Sequence, residues 1–233
     1  MITIENIVVS YTKGKNVIDL LNLHLPDNTI NGIVGLNGAG KTTLLNSIYG
    51  LKNIDSGIIK NDDKKINKKD ISFLETENYF YSYITGREYL SLFKNKLYDI
   101  DNWNKLFLLP LDIIIDSYST GMKKKLALMG ILKQDKPIMI LDEPFNGLDI
   151  ETCRIIRQIL LKLKERNKTI IITSHIIETL TNLCDDIHYL ENGKIKYSKS
   201  KSDFKEFEQE IFASIENKNE ELINELIGNI SKI

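Results

Sequence analysis

The alternation of apolar and polar positions divides the chain into strands and amphipathic helices. "ITIENIVVSY" (2–11) alternates with period two and predicts a strand. "LNLHLPDNTINGIVG" (21–35) reads as strand, turn, strand. "KTTLLNSIYG" (41–50) reads as a helix with Gly50 as its C-cap. "SGIIKND" and "DISFLE" predict two short strands. From about Tyr83 to Lys133 the period becomes helical, and Thr85 to Glu88 form a capping box opening a helix through Leu90, Leu92 and Phe93. In "YSTGMKKKLALMG" (118–130), Met122, Leu126 and Met129 make one apolar stripe, and Lys123, Lys124 and Lys125 read as a solvated face. "KPIMILDEP" and "KTIIITSH" are continuous apolar runs that predict buried strands, with the helix "ETCRIIRQILLKLKERN" between them. "IETLTNLCD" predicts a helix, and "DIHYLENGKIKYS" a hairpin turning at Asn192-Gly193.

Buried strands alternating with helices predict an α/β fold, a mostly parallel sheet covered on both faces and preceded by an antiparallel β part. The helical block breaks that alternation and predicts an inserted lobe. The expected organisation is one domain over 1–233. It has a core lobe at about 1–75 and 136–200, a helical lobe at about 76–135 and a helical tail at about 201–233. In the tail, Leu222, Ile223, Leu226, Ile227 and Ile230 share an apolar face, which could dock on the chain's own core or on a partner.

Composition narrows the function classes. Lys+Arg number 31 and Asp+Glu 32, so the net charge is −1 and no broad basic footprint favours nucleic acid as a partner. The N-terminus lacks a basic region followed by an apolar core, so no signal peptide is expected. The densest apolar stretch, "LFLLPLDIII", is broken by Pro110 and Asp112 and is far shorter than the ~20 residues of a membrane helix. The expectation is a cytosolic protein, or one held at a membrane by something else. Cys153 and Cys184 stand in no metal-like spacing and read as buried thiols.

Two segments carry phosphate chemistry. "GLNGAGKT" (35–42) fits G-x-x-x-x-G-K-[ST], and it follows a strand and opens a helix, as the phosphate loop requires. Its glycines let the backbone wrap phosphates, so Asn37, Gly38, Ala39, Gly40, Lys41, Thr42 and Thr43 form the nucleotide-binding set. Lys41 reaches the β- and γ-phosphates, and the Thr42 hydroxyl faces Mg²⁺. "IMILDE" ends a buried strand in two acids. Asp142 is placed to hold Mg²⁺ through water, and Glu143 to polarise an attacking water. "NKKD" (67–70) resembles a guanine-reading motif, but it precedes the acid strand instead of following it and lies in a Lys/Asn-rich turn. The second phosphate-shaped segment is "YSTGM", where Ser119, Thr120 and Gly121 open a helix whose free N–H groups favour an anion.

The order "GLNGAGKT", "YSTGM", "LDEP", "NGLD" (146–149) and "TSH" ending in His175 resembles the nucleotide-binding subunits of ABC transporters, over about Ile2 to Tyr197. "YSTGM" is similar to the family signature, "NGLD" to its D-loop and His175 to its switch histidine. Tyr11, with Val17, falls where the family binds adenine. The resemblance implies ATP hydrolysis with Mg²⁺ and catalytic roles for Glu143, His175 and Lys41. It also implies a head-to-tail dimer, in which Ser119, Thr120, Gly121 and Asp149 contact ATP held by a second copy or a similar subunit. The helix dipole at Ser119 then favours that phosphate by roughly 0.3–1 kcal/mol. The resemblance further implies an integral membrane partner, a cytoplasmic position peripheral to the inner face of the cell membrane, and export of a peptide, toxin or drug. The aromatics Tyr79, Phe80, Tyr81 and Tyr83 could be core, or could line the groove that grips that partner.

One departure stands out. The family's metal-ligating Gln is missing from "FLETENYFY" (73–81), where Thr76 occupies the position between Glu75 and Glu77. Either water fills the gap at the metal, or a neighbouring Glu supplies an oxygen. The alternatives to a transporter subunit are a soluble cassette ATPase and an ATP-binding switch with little hydrolysis.

Overall fold

A computed structural model describes residues 1–12, 14–212, 224 and 227. The expected tail helix therefore falls largely outside the described residues. Two sheets form the frame. The first is antiparallel, in the order β2-β1-β4-β5, from β1 (Ile2–Thr12), β2 (Lys15–Leu25), β4 (Ser56–Asn61) and β5 (Lys64–Lys65). The second has the order β10-β9-β3-β8-β7-β6. Its members are β3 (Ile30–Val34), β6 (Ile71–Leu74), β7 (Ile138–Leu141), β8 (Thr169–Ser174), β9 (Asp186–Glu191) and β10 (Lys194–Ser200). Every pairing in it is parallel except β9 with β10.

Alternation along the strands explains the layers. In β7, Ile138 and Ile140 point to the antiparallel sheet, where they join Ile2, Ile4, Leu23 and Leu25. Met139 and Leu141 point the other way, to a cluster with Leu126, Met129, Ile156 and Leu160 of the helices. Both faces are covered, so β3, β7 and β8 are buried throughout and mostly apolar. Each such Ile or Leu contributes roughly 1.5–3 kcal/mol relative to exposure. One cover is a sheet, together with Leu44, Leu45 and Ile48 of α1 (Lys41–Tyr49). Helices cover the opposite face.

The helical segment lies between β6 and β7 in sequence. It contains α2 (Gly86–Ser91), α3 (Ile100–Phe107) and α4 (Thr120–Gln134). The capping box is formed: the Thr85 amide donates to Glu88 Oε2 at 2.7 Å, and the Glu88 amide donates to Thr85 Oγ1 at 3.2 Å. Helix α2 ends one residue before Leu92, shorter than its apolar pattern predicts. The segment has no core of its own: Leu90, Phe107 and Leu126 share one cluster with Leu74 and Ile170 of the sheet. After β7, α5 (Ile150–Glu165) returns to β8, and a short α6 (Ile177–Thr181) leads to β9.

The β9–β10 hairpin turns at Asn192 (φ 49°) and Gly193 (φ 74°), two left-handed residues as a type I′ turn demands. Its tip supports the phosphate loop. The Gly193 amide donates to the Ala39 carbonyl at 3.1 Å, and a Cβ at Gly193 would meet the Val17 carbonyl oxygen at 2.2 Å. Cys184 is buried and Cys153 half-buried, so one of the two thiols is less enclosed than its sequence context suggested.

Candidate functional site

The site lies where β3, β7 and β8 end. Beyond β3 the chain enters the loop that opens α1. Gly40 caps that helix with φ 109°, and a Cβ there would come within 2.9 Å of Ile18 Cδ1, so the position needs glycine. A cleft of about 370 Å³ opens over the loop. Its lining combines Asn37, Gly38, Gly40, Lys41, Thr42 and Thr43 of the loop and α1 with Val17, Thr76, Glu143, Asn146 and His175.

Lys41 is buried and donates from Nζ to the Gly35 carbonyl at 2.8 Å; Glu143 Oε1 lies 3.5 Å away. Glu143 Oε2 lies 3.1 Å from His175 Nδ1. The Glu143 carboxylate thus sits between a lysine and a histidine and is only 8% exposed. Asp142 is fully buried. Its Oδ2 accepts from Thr42 Oγ1 at 2.7 Å and from Thr76 Oγ1 at 2.7 Å, and its Oδ1 accepts from Thr173 Oγ1 at 2.5 Å.

This donor set fits Mg²⁺. The Asp142 carboxylate and the Thr42 hydroxyl supply hard oxygens, with Thr76 beside them, and no group of three or more His, Cys, Asp or Glu forms a cage among the described residues. Mg²⁺ prefers that arrangement, keeping waters and substrate oxygens in its shell.

Other expected residues lie apart from the cleft. The Ala39 side chain packs between the sheets. Tyr11 is 60% exposed on the rim: its hydroxyl lies 3.4 Å from Thr43 Oγ1, and Lys52 Nζ is 4.3 Å from its ring centroid. Ser119 and Thr120 are exposed at the start of α4, outside the cleft of their own chain, and Ser119 Oγ accepts from the Met122 amide at 3.3 Å. Gly121 packs against the "NGLD" loop, where a Cβ would meet the Gly147 carbonyl oxygen at 3.2 Å. Asp149 caps α5 by accepting from the Thr152 amide at 2.7 Å, and Lys125 Nζ lies 3.3 Å from it. Its carboxyl is pushed down to about 2, chiefly by the bonds from Thr152 and then by Lys125.

The lysine run is not a uniform solvated face. Lys124 is 6% exposed and donates to the Glu143 carbonyl, and Lys125 is engaged with Asp149. Lys124 stands three and four residues before Ala127 and Leu128, on a buried stripe, which was a readable signal. Asn146 and Thr173 open the "NGLD" and "TSH" motifs, but the sequence reading assigned them no place at the site. The Thr173 bond to Asp142 comes about through strand order. Among the aromatics, Tyr79, Tyr81 and Tyr83 are strongly exposed, while Phe80 packs on Tyr89 at 4.9 Å.

A family model described as "ABC transporter" matches residues 18–146. AlbC of Bacillus subtilis, a putative ABC transporter ATP-binding protein, is 29% identical over 84% of this chain and 90% of its own. BcrA, the bacitracin transport ATP-binding protein of Bacillus licheniformis, is 35% identical over 79% of this chain and 65% of its own. The cassette MJ0796, solved as a dimer in a post-hydrolysis state with ADP and Pi, superposes with a TM-score of 0.76. It is 22% identical, and the match covers 86% of this chain and 99% of the other.

Proposed function

The chain belongs to the ABC transporter family of ATP-binding proteins, and on that premise we propose that its ATPase activity powers a separate membrane-spanning partner that exports a peptide, toxin or drug. The chain is an ATPase of the cassette fold. The observation that carries the mechanism is the bracketing of Glu143 between Lys41 at 3.5 Å and His175 at 3.1 Å, beside Asp142 with its hydroxyl partners.

The phosphate-loop amides and Lys41 bind the β- and γ-phosphates, and Lys41 neutralises charge that grows there. Glu143 orients the attacking water and takes its proton. His175 holds the Glu143 carboxylate and contacts the γ-phosphate. Thr42 and Asp142, with Thr76 nearby, would hold Mg²⁺, which would offset phosphate charge. Tyr11 and Val17 flank the adenine.

Ser119, Thr120, Gly121 and Asp149 serve a partner cassette. The exposure of Ser119, Thr120 and Asp149 outside their own cleft supports that reading, as does the dimeric MJ0796 structure. We read 1–75 and 136–200 as a core lobe, 76–135 as a helical lobe, and the exposed Tyr79, Tyr81 and Tyr83 as the contact for the membrane subunit. Among the described residues no helix is long and apolar enough to cross a membrane, and the reading places the chain at the inner membrane face through that partner. Likeness to BcrA, named for bacitracin transport, supports a peptide or drug as the cargo.

Glu143→Gln tests the reading. Losing the carboxylate's charge preserves the shape of the site and removes its repulsion with the γ-phosphate, so hydrolysis stops and a dimer with ATP between its chains accumulates. Size-exclusion chromatography with ATP and Mg²⁺ reads this. A mutant that binds ATP yet stays monomeric at every concentration counts against the sandwich.

A further inference from the structure

Glu143 has a φ of 49°, a left-handed conformation that a residue with a Cβ adopts only when its surroundings hold it there. Two hydrogen bonds do so. Its amide donates to Thr173 Oγ1 at 2.9 Å, and its carbonyl accepts from Lys124 Nζ at 2.5 Å. Lys124 lies in the second turn of α4 and is 6% exposed. Burying an ammonium is unfavourable, and an apolar side chain of similar volume is often neutral or stabilising in its place. Burial lowers the pKa of Lys124, while Glu143 and then Asp142 oppose that shift. Stability alone therefore gives little reason for a lysine here. Its contact with a strained backbone turn beside the reacting groups gives a functional one.

We propose that Lys124 is a positioning residue for ATP hydrolysis: its ammonium locks the left-handed turn at Glu143 and so aims the carboxylate between Lys41 and His175. The proposal rests on the reading of Glu143 as the base. With the carbonyl released, the turn relaxes and the carboxylate leaves the line of attack. A displacement of that kind lowers turnover by roughly tenfold to a hundredfold. Nucleotide binding does not use the Glu143 carbonyl and stays intact.

The experiment compares kcat, KM for MgATP, equilibrium MgATP binding and Tm in the full chain for wild type, Lys124→Met, Lys124→Gln and Glu143→Gln. The expected result for Lys124→Met is a fall in kcat of that size, with binding unchanged and Tm equal or higher. Lys124→Gln, which keeps an N–H donor only one bond shorter, recovers most of the rate. If Lys124→Met does not fold, Lys124→Asn, with a donor too short to reach, carries the same expectation for kcat and binding. An unchanged kcat in Lys124→Met, with Glu143→Gln inactive, overturns the proposal and leaves the base assignment standing. Loss of kcat together with weaker binding and a lower Tm, unrelieved by Gln, also overturns it. Sustained hydrolysis by Glu143→Gln sinks the base assignment itself.

Discussion

His188 makes acid stability a sharp test of the packing between the sheets. It lies on β9, 4% exposed, with Nδ1 2.8 Å from Ser198 Oγ and with Nε2 unpartnered among the described residues. Burial pushes its pKa down to about 4, with Asp186 opposing weakly. The cation needs two satisfied N–H donors, and only one partner is present. The folded pKa is depressed, so the unfolded chain takes up a proton on this group first. Its stabilising effect is therefore complete above the unfolded pKa near 6.5 and is lost as pH falls from there toward about 4. The full loss is roughly 3 kcal/mol, from about 2.5 pH units at ~1.36 kcal/mol each, and about 2 kcal/mol of it has gone by about pH 5. His188→Asn keeps a polar group near Nδ1 but cannot titrate. Urea unfolding of both proteins without nucleotide, at about pH 7, 6 and 5, isolates the term, because other titrating groups are shared. The wild-type profile should fall more steeply than the mutant's by about 2 kcal/mol over that span. Parallel profiles refute the reasoning.

Two further predictions address the site. Lys41→Ala cannot bind phosphate in its own cleft, whereas Ser119→Arg keeps its cleft and blocks the partner's. Each should be inactive alone, and mixing them should restore one competent site per heterodimer in an ATPase assay. Heterodimers without activity would remove the trans role of "YSTGM". For the metal, Thr76→Gln should lower the half-saturating Mg²⁺ concentration by replacing a water with an amide oxygen. An unchanged midpoint there, with a raised one in Glu75→Ala or Glu77→Ala, would instead assign the ligand to a glutamate.

The chain's local chemistry was legible without coordinates. A glycine-rich turn after an apolar strand, two acids at another strand's end, the Thr85–Glu88 box and the Asn192-Gly193 hairpin each depend on residues within a few positions of one another. Backbone geometry at that range is dictated by side-chain type. Apolar runs alternating with helices also foretold the parallel sheet, because strands buried on both faces are mostly apolar. What covers each face was another matter. An antiparallel sheet and a helical one bury the same alternating residues, and only tertiary packing places a sheet on one side and a shared helical core on the other. The same limit governs the site. Lys124 meets Glu143, and Thr173 meets Asp142, because strand order lays β8 beside β7 and packs α4 against the sheet. A lysine in a run of three looks solvated by composition. It is buried here because the helix face it shares with Ala127 and Leu128 is turned inward, and its charge finds a backbone carbonyl whose position depends on residues far along the chain.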